Sequence, residues 1–271
     1  MGRVAILLSC VLLFACERLE LPSWESGNAN LVLSVQVEGS TRSADGAAFD
    51  RLGIALFDAT GSKVKSVSQT ADDSGFGTVS MSLNAGIYTV VVIAHSCAGT
   101  ATITSAEKVT FPNNKVTDTF YYYGSLTVTE GRKEEMLTLH RAVAMVRLSL
   151  SGLPDETASV RFYYLGGSST FSPATGFGCV ASKQTEVRQY AANGVYEIYT
   201  MPHSSEDVLT RLDVMALDSG DNEIASCTLS DIPVTVNRIT LCDADMGASG
   251  GMGDVALGIR VNTEWEGEDR Y

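Results

Sequence analysis

Apolar and polar residues alternate with a period of two along most of this chain. The first such run, residues 31–37, places leucine or valine at every second position. Alternation of this kind is typical of a β-strand with one buried face. Further runs rich in β-branched and aromatic residues predict strands at 54–57, 87–93, 120–129, 137–150, 160–165, 195–200, 209–217 and 232–241.

Turn-forming residues separate these runs at short intervals, for example at 72–75, 112–114, 153–155 and 218–222. Beyond residue 15, no long stretch shows the 3.6-residue period of a helix. Residues 131–138 are compatible with a helical turn, but they continue into an alternating run. The pattern predicts an all-β protein.

The polar segment 130–135 interrupts the strand pattern near the middle of the chain. It divides the sequence into residues 30–135 and 136–271, each the size of a small sandwich domain. We therefore predict an N-terminal and a C-terminal β-sandwich, without a convincing internal sequence repeat.

The first 15 residues have the character of a secretion signal. Arg3 is followed by an apolar run over residues 4–14, which is too short to span a bilayer. The segment 13–16 resembles the lipobox of bacterial lipoproteins, which implies cleavage between Ala15 and Cys16 and acylation of Cys16. Residues 16–29 then form a lipidated tether, since two or three acyl chains give stable anchoring. The alternatives are cleavage at Cys10, with a shorter apolar run, and a plain secreted protein.

The net charge of the chain argues against a nucleic-acid partner. The chain has 19 Lys and Arg against 32 Asp and Glu, for a net charge of −13. A field of this sign repels phosphate backbones, so we expect no nucleic-acid partner.

Chemistry-bearing residues are sparse, and we expect no catalytic, cofactor or metal site and no enzymatic activity. The three histidines, His95, His140 and His203, have no metal-ligand spacing, and no nucleophile elbow or phosphate loop is present. Four cysteines follow Cys16, none in CxxC spacing. They can form up to two disulfides, with three connectivities, or stay as thiols: Cys97, Cys179, Cys227 and Cys242.

Several segments in order resemble the FimB and fimbrillin anchor family of type V, Bacteroides-like fimbrial subunits. They are 57–61, 85–90, 139–146, 232–240 and 261–265. The resemblance covers most of the chain. It implies two tandem transthyretin-like β-sandwiches and a structural role on the cell surface. Partners would be other fimbrial subunits, joined by strand donation, and the outer membrane, reached through lipid on Cys16.

The C-terminal segment 255–262 has the pattern expected of a donated strand. Val255, Leu257, Ile259 and Val261 fall on one face, and the glycine-rich segment 246–253 precedes them. Main-chain pairing with alternate side chains in pockets is the usual mode of strand addition. The alternative is an ordinary last strand within its own sandwich.

Anchor, stalk and tip subunits differ in the fate of the first strand. In the resembled family an arginine-specific protease removes this strand from stalk precursors. Arg42 is the main candidate site here, with Arg18 and Arg51 behind it, although a solvated loop arginine also explains Arg42. A rival from another class is a surface glycan-binding lipoprotein. Such a protein serves nutrient uptake and binds sugars on an aromatic platform, for which the candidates are Tyr121, Tyr122, Tyr123, Tyr163, Tyr164, Trp24 and Trp265. A host or bacterial surface ligand is a separate candidate partner of a fimbrial subunit.

Overall fold

The computed structural model describes residues 29–38, 49–247 and 260–262. Nearly all regular structure in them is β, which confirms the predicted all-β class, with one 3₁₀ turn at Pro112–Asn114. None of the described helical structure is long or apolar enough to cross a membrane. The strands are β1 Leu31–Val37, β2 Arg51–Phe57, β3 Lys63–Thr70, β4 Thr78–Met81, β5 Gly86–His95, β6 Thr102–Ser105, β7 Lys108–Thr110, β8 Phe120–Val128, β9 Lys133–Arg141, β10 Ala144–Ser151, β11 Ser159–Ser168, β12 Thr170–Ser172, β13 Phe177–Gly178, β14 Ala181–Gln189, β15 Val195–Thr200, β16 Asp207–Leu209, β17 Arg211–Leu217, β18 Glu223–Leu229, β19 Ile232–Val234, β20 Ile239–Asp245 and β21 Arg260–Asn262.

The first half of the chain folds into a sheet that closes over its own core. Its strand order is β3-β2-β5-β8-β9-β1-β4, and β8 meets β9 through only two register pairs. The sheet bends there, so that β9, β1 and β4 face the other four strands. Between them lies the first core, built on alternate residues such as Leu33, Ile54, Val92 and Leu137.

The second half is a sandwich of two four-stranded sheets. One has the order β15-β10-β20-β21 and the other the order β14-β11-β17-β18. Their facing side chains form the second core, in which Val146, Phe162, Val214 and Cys242 are each no more than 1% exposed.

The two halves share structure where they meet. β7 of the first half pairs with β12 of the second, within a small sheet of order β13-β12-β7-β6. Beside this sheet lies a third cluster of buried residues, the junction cluster, which takes members from both halves. Its members are Ala55, Phe57, Val91, Ile93, Cys97, Ala101, Ile103, Val109, Phe111, Val116, Ala142, Val143, Phe171 and Met201.

The predicted strand over 137–150 is two strands in different sheets. Ala142 and Val143, both fully buried in the junction cluster, separate β9 from β10. Residues 133–138 are strand and not a helical turn, since β9 pairs along its length with β1. The predicted boundary between residues 135 and 136 falls inside β9. The division into two domains and their transthyretin-like character stay predictions.

Candidate assembly site

The first strand lies in the interior of its sheet. β1 makes seven parallel register pairs with β9 on one side and four antiparallel pairs with β4 on the other. Leu31, Leu33 and Val35 are each at most 1% exposed in the first core. Burying side chains of this size contributes about 1.5–3 kcal/mol each. β1 is therefore an integral part of the first core.

Hydrogen bonds fix both ends of β1. At its start the Asn30 side chain donates to the Leu83 carbonyl at 2.8 Å and accepts from the Leu83 N–H at 2.9 Å. The Lys133 N–H donates to the Asn30 carbonyl at 2.8 Å, and at the far end the Glu38 N–H donates to the Leu139 carbonyl at 3.0 Å. Backbone bonds thus extend the β1–β9 ladder at both ends of β1, and the Asn30 side chain adds a tie to Leu83 at the start.

The predicted processing sites flank this strand in the sequence. Ala15, Cys16 and Arg42 all lie outside the described residues. In the sequence, the predicted tether 16–29 comes before β1, and Arg42 falls between β1 and β2. Lipidation and cleavage therefore stay predictions.

The C-terminal strand is paired within its own half. Asn262, Val261 and Arg260 lie opposite Ile239, Thr240 and Leu241 in antiparallel register, which makes β21 the edge strand beside β20. Val255, Leu257 and Ile259 of the predicted donor strand lie outside the described residues. The part that is described adopts the intrachain pairing that the sequence left open as the alternative to donation.

Arg141 ties the two halves together at the point where the chain passes between them. Its guanidinium donates to both carboxylate oxygens of Asp118, at 2.8 and 3.1 Å, and to the Asn237 amide oxygen at 2.9 Å. It also stacks 4.7 Å from the centre of the Phe120 ring. Two-pronged pairing of this kind is stronger than an ordinary surface ion pair. Since Asn237 belongs to the second half, the link between β9 and β10 is held from both sides.

A buried histidine lies next to Cys97 of the junction cluster. His95 Nδ1 is 2.9 Å from Cys97 Sγ, and the N–H groups of Cys97 and Ala101 point at Nδ1 and Nε2, each at 3.2 Å. Burial, aided by the charge of Arg51, lowers the pKa of His95 to about 4. Burial raises the pKa of the Cys97 thiol to about 11. Both groups are therefore neutral at pH 7, unlike a catalytic thiolate–imidazolium pair.

The other two histidines each lie within hydrogen-bond distance of a carboxylate. His140 Nδ1 is 2.6 Å from Glu38, and His203 Nδ1 is 3.0 Å from Asp207. Within the described residues no cluster of three or more His, Cys, Asp or Glu could hold a metal ion.

A family model provides the deciding comparison. The model of fimbrillin-A associated anchor proteins Mfa1 and Mfa2 matches residues 23–269, which is most of the chain. The chain belongs to this anchor family. Family membership gives it a cell-surface, fimbrial setting, with other fimbrial subunits as partners, and a structural role. A search of curated proteins found no match.

Two solved structures share the fold of this family member at low sequence identity. A candidate polysaccharide-binding protein from Bacteroides thetaiotaomicron is 11% identical, with a TM-score of 0.54 over 88% of this chain and 99% of that chain. A candidate adhesin from Bacteroides ovatus is 13% identical, with a TM-score of 0.53 over 88% and 96%. The fimbrial anchor protein Mfa2 from Porphyromonas gingivalis is 12% identical, with a TM-score of 0.45 over 86% and 96%.

The tyrosines proposed as a glycan platform are dispersed in this anchor-family protein. Tyr164 is fully buried, and its hydroxyl donates to Glu186 at 2.9 Å. Tyr121 packs edge-on against Phe171 in the junction cluster, with ring centres 4.8 Å apart. Tyr122 packs against the first core, and Tyr123 is 43% exposed. Tyr163 is half-buried, and Trp24 and Trp265 lie outside the described residues.

The four described cysteines are all free thiols, which is the unpaired alternative that the sequence left open. Cys97 and Cys242 are buried in different clusters, Cys227 is half-buried and Cys179 is exposed. Burial raises the pKa of Cys227 and of Cys242 to about 11.

Sequence reasoning missed the residues that hold β1 and the junction. Asn30 precedes a strand, where an asparagine usually signals only a turn. Arg141 is a charged residue inside an apolar run, and that is the one signal the sequence offered for it. The partners of both residues are distant in sequence, 53 positions away for Leu83 and 96 for Asn237.

Proposed function

We propose that this protein is a fimbrial anchor or accessory subunit held at the outer membrane by lipid on Cys16. The lipid tether runs directly into β1, so the fibre is attached to the membrane through that strand. Partner subunits join by β-strand addition, with residues 255–262 as the donor.

The position of β1 is the observation that carries this proposal. An anchor must keep its lipid and hence the strand that follows it. β1 supplies Leu31, Leu33 and Val35 to the first core and is bonded on both edges. Losing it would open a groove between β9 and β4 and expose the core. Retention of β1 in the mature protein therefore gives a closed, stable subunit at the base of a fibre.

Intact mass and N-terminal analysis of protein isolated from its native membrane tests the anchor. An acylated N-terminal Cys16 is the expected result. A chain that begins after Arg42 would instead make this a processed stalk or tip subunit with an open groove. An unmodified start elsewhere would refute both assignments.

A pair of matched variants tests strand addition. Leu257→Asp with Ile259→Asp places charge on the proposed pocket-filling face, and Ala256→Asp with Asn262→Asp places the same charge on the opposite face. We expect only the first pair to abolish co-isolation of fimbrial subunits with the membrane-bound protein. Equal loss in both pairs, or in neither, would contradict side-chain recognition of a donated strand.

Glycan binding is the alternative from a different class. Retention in a polysaccharide affinity gel that is lost in Tyr123→Ala would favour it over assembly. Tyr123 is the most exposed of the five candidate tyrosines in the described part of the chain.

A further inference from the structure

Each half of the molecule contains a parallel strand pair that joins its entry to its exit. In the first half β1, the entry strand, pairs in parallel with β9, the strand that leads out of that half. In the second half β10 enters and pairs in parallel with β20, the strand that ends at Asp245. Both ladders contain seven register pairs, 31–37 with 133–139 and 145–151 with 239–245.

The parallel pairing determines the direction in which tension between the two chain ends pulls on each ladder. In a parallel pair the two strands begin at the same end, so a pull on the start of one and on the finish of the other slides them past each other. All hydrogen bonds of the ladder then resist together. A pull on the two starts would instead separate the ladder one pair at a time.

We infer that β1–β9 and β10–β20 are two shear clamps in series, which carry mechanical load between the membrane tether and the far end of the molecule. The direction of that load rests on the proposed tether at Cys16, whereas the resistance of the clamps does not. The first clamp takes the load at Leu31 and passes it on at Arg141. The second takes it at Ala144 and passes it on beyond Asp245.

The link between the clamps is built to transmit load without extending. Only Ala142 and Val143 separate the two strands, and both are fully buried. The Ala142 N–H donates to the Thr119 carbonyl at 2.8 Å, and the Asn237 N–H donates to the Val143 carbonyl at 2.9 Å. Arg141 adds its bonds to Asp118 and Asn237 across the same point. A flexible linker here would lengthen before either clamp was loaded.

The outer strand β21 predicts the order of events under tension. It pairs antiparallel with only three residues of β20, at the end where β20 begins. A pull on the C-terminus therefore peels β21 first and then loads the start of β10 against the finish of β20 in shear. We expect β21 to detach first at low force, and the two parallel ladders to rupture later at higher force.

Single-molecule force spectroscopy on the mature chain from residue 16 tests the clamps through a change of pulling direction. In the shear geometry the handles are at the N-terminus and the C-terminus. In the peeling geometry the second handle is inserted at Gly131, an exposed turn position just before β9 begins. Equilibrium unfolding in urea verifies that the handle at Gly131 leaves stability unchanged.

We expect the force that removes β1 to be several-fold higher in the shear geometry than in the peeling geometry. Native contacts are the same in both, so stability alone predicts equal forces. Equal rupture forces in the two geometries would overturn the inference. If protein from native membranes carried no lipid on Cys16, the proposed anchor function would be refuted, but this mechanical result would be unaffected.

A matched pair of variants tests the first clamp through a single bond. Glu38→Pro removes the N–H that donates to the Leu139 carbonyl, whereas Glu38→Ala keeps it; both remove the Glu38 pair with His140. We expect a lower shear force in Glu38→Pro only. An unchanged force in Glu38→Pro, with equilibrium unfolding showing a native fold, would contradict the proposal that the β1–β9 ladder resists shear.

Discussion

Acid should destabilise this protein through His95 in a way that one variant can isolate. The His95 ring is 1% exposed, and backbone N–H groups face both ring nitrogens. A neutral ring accepts at one nitrogen, whereas a protonated ring accepts at neither. Protonation in the folded state therefore costs both burial of a charge and a hydrogen bond.

The size of the effect follows from the difference in pKa between the two states. The ordinary value is 6.5, and in the folded protein the pKa of His95 is about 4. Each unit corresponds to about 1.4 kcal/mol, so full protonation costs about 3 kcal/mol of stability. Above pH 6.5 the ring is neutral in both states. Between pH 6.5 and 4 only the unfolded chain takes up the proton, so stability falls as pH falls, and the loss is complete below pH 4.

Urea denaturation of wild type and His95→Phe at pH 7, 6, 5 and 4 measures this contribution. Other titrating groups act in both proteins, so the difference between the two curves isolates His95. We expect wild type to lose about 3 kcal/mol more than His95→Phe between pH 7 and pH 4. His95→Gln serves as a second variant if phenylalanine does not fit the site.

Phe111→Leu is the matched control for packing around the ring. Its ring lies edge-on to His95, with centres 5.6 Å apart, and it does not titrate. We expect this variant to be less stable than wild type at every pH and to keep most of the acid-dependent loss, because His95 is still present. Parallel wild-type and His95→Phe curves from pH 7 to pH 4 would refute the reasoning, because the histidine would then take up its proton equally in both states.

Three further predictions concern the β1 strand, the junction and the thiols. Leu33→Ala, in the first core, should cost about 2–5 kcal/mol in the free energy of unfolding, and Val64→Ala, which is 42% exposed, less than about 0.5 kcal/mol. Arg141→Ala should lower the free energy of unfolding, measured in urea, by about 1–3 kcal/mol, because it removes the guanidinium paired with the largely buried Asp118. Arg132→Ala is the control: its pair with Glu134 is exposed, so the free energy of unfolding should change little. Among the described cysteines, a maleimide should label exposed Cys179 in the native protein, and buried Cys97 and Cys242, with a pKa of about 11 each, only after unfolding. Mass spectrometry with and without urea would check this, and rapid native labelling of Cys242 would contradict its burial.

The strands that line the cores were predictable from sequence. β1 and β11 largely alternate apolar and polar residues because one face of each meets a core. β5 is instead apolar on both faces, because one face meets the first core and the other meets the junction cluster. The family resemblance rested on such segments and is confirmed.

Edge strands were not predictable in the same way. β3, with the sequence KVKSVSQT, is mostly exposed, and β14 has charged residues along its length. A strand at a sheet edge is held in its extended conformation by pairing with its neighbour, so its own sequence need not show the alternation of apolar and polar residues. The break between β9 and β10 also had no sign in the sequence, because a single apolar run continues through the point where the chain passes from the first half to the second.

The sequence by itself determined the all-β class, the core-facing residues and the family, because burial and alternation are local properties of each strand. Only the tertiary structure decided which strands pair in parallel, where Arg141 finds Asn237, and how His95 is enclosed. Those features depend on contacts between residues far apart in the chain, and loop closure brings such residues together without leaving a local pattern. The two parallel ladders are the clearest case, since no repeat in the residues indicates that both halves join entry to exit in the same way.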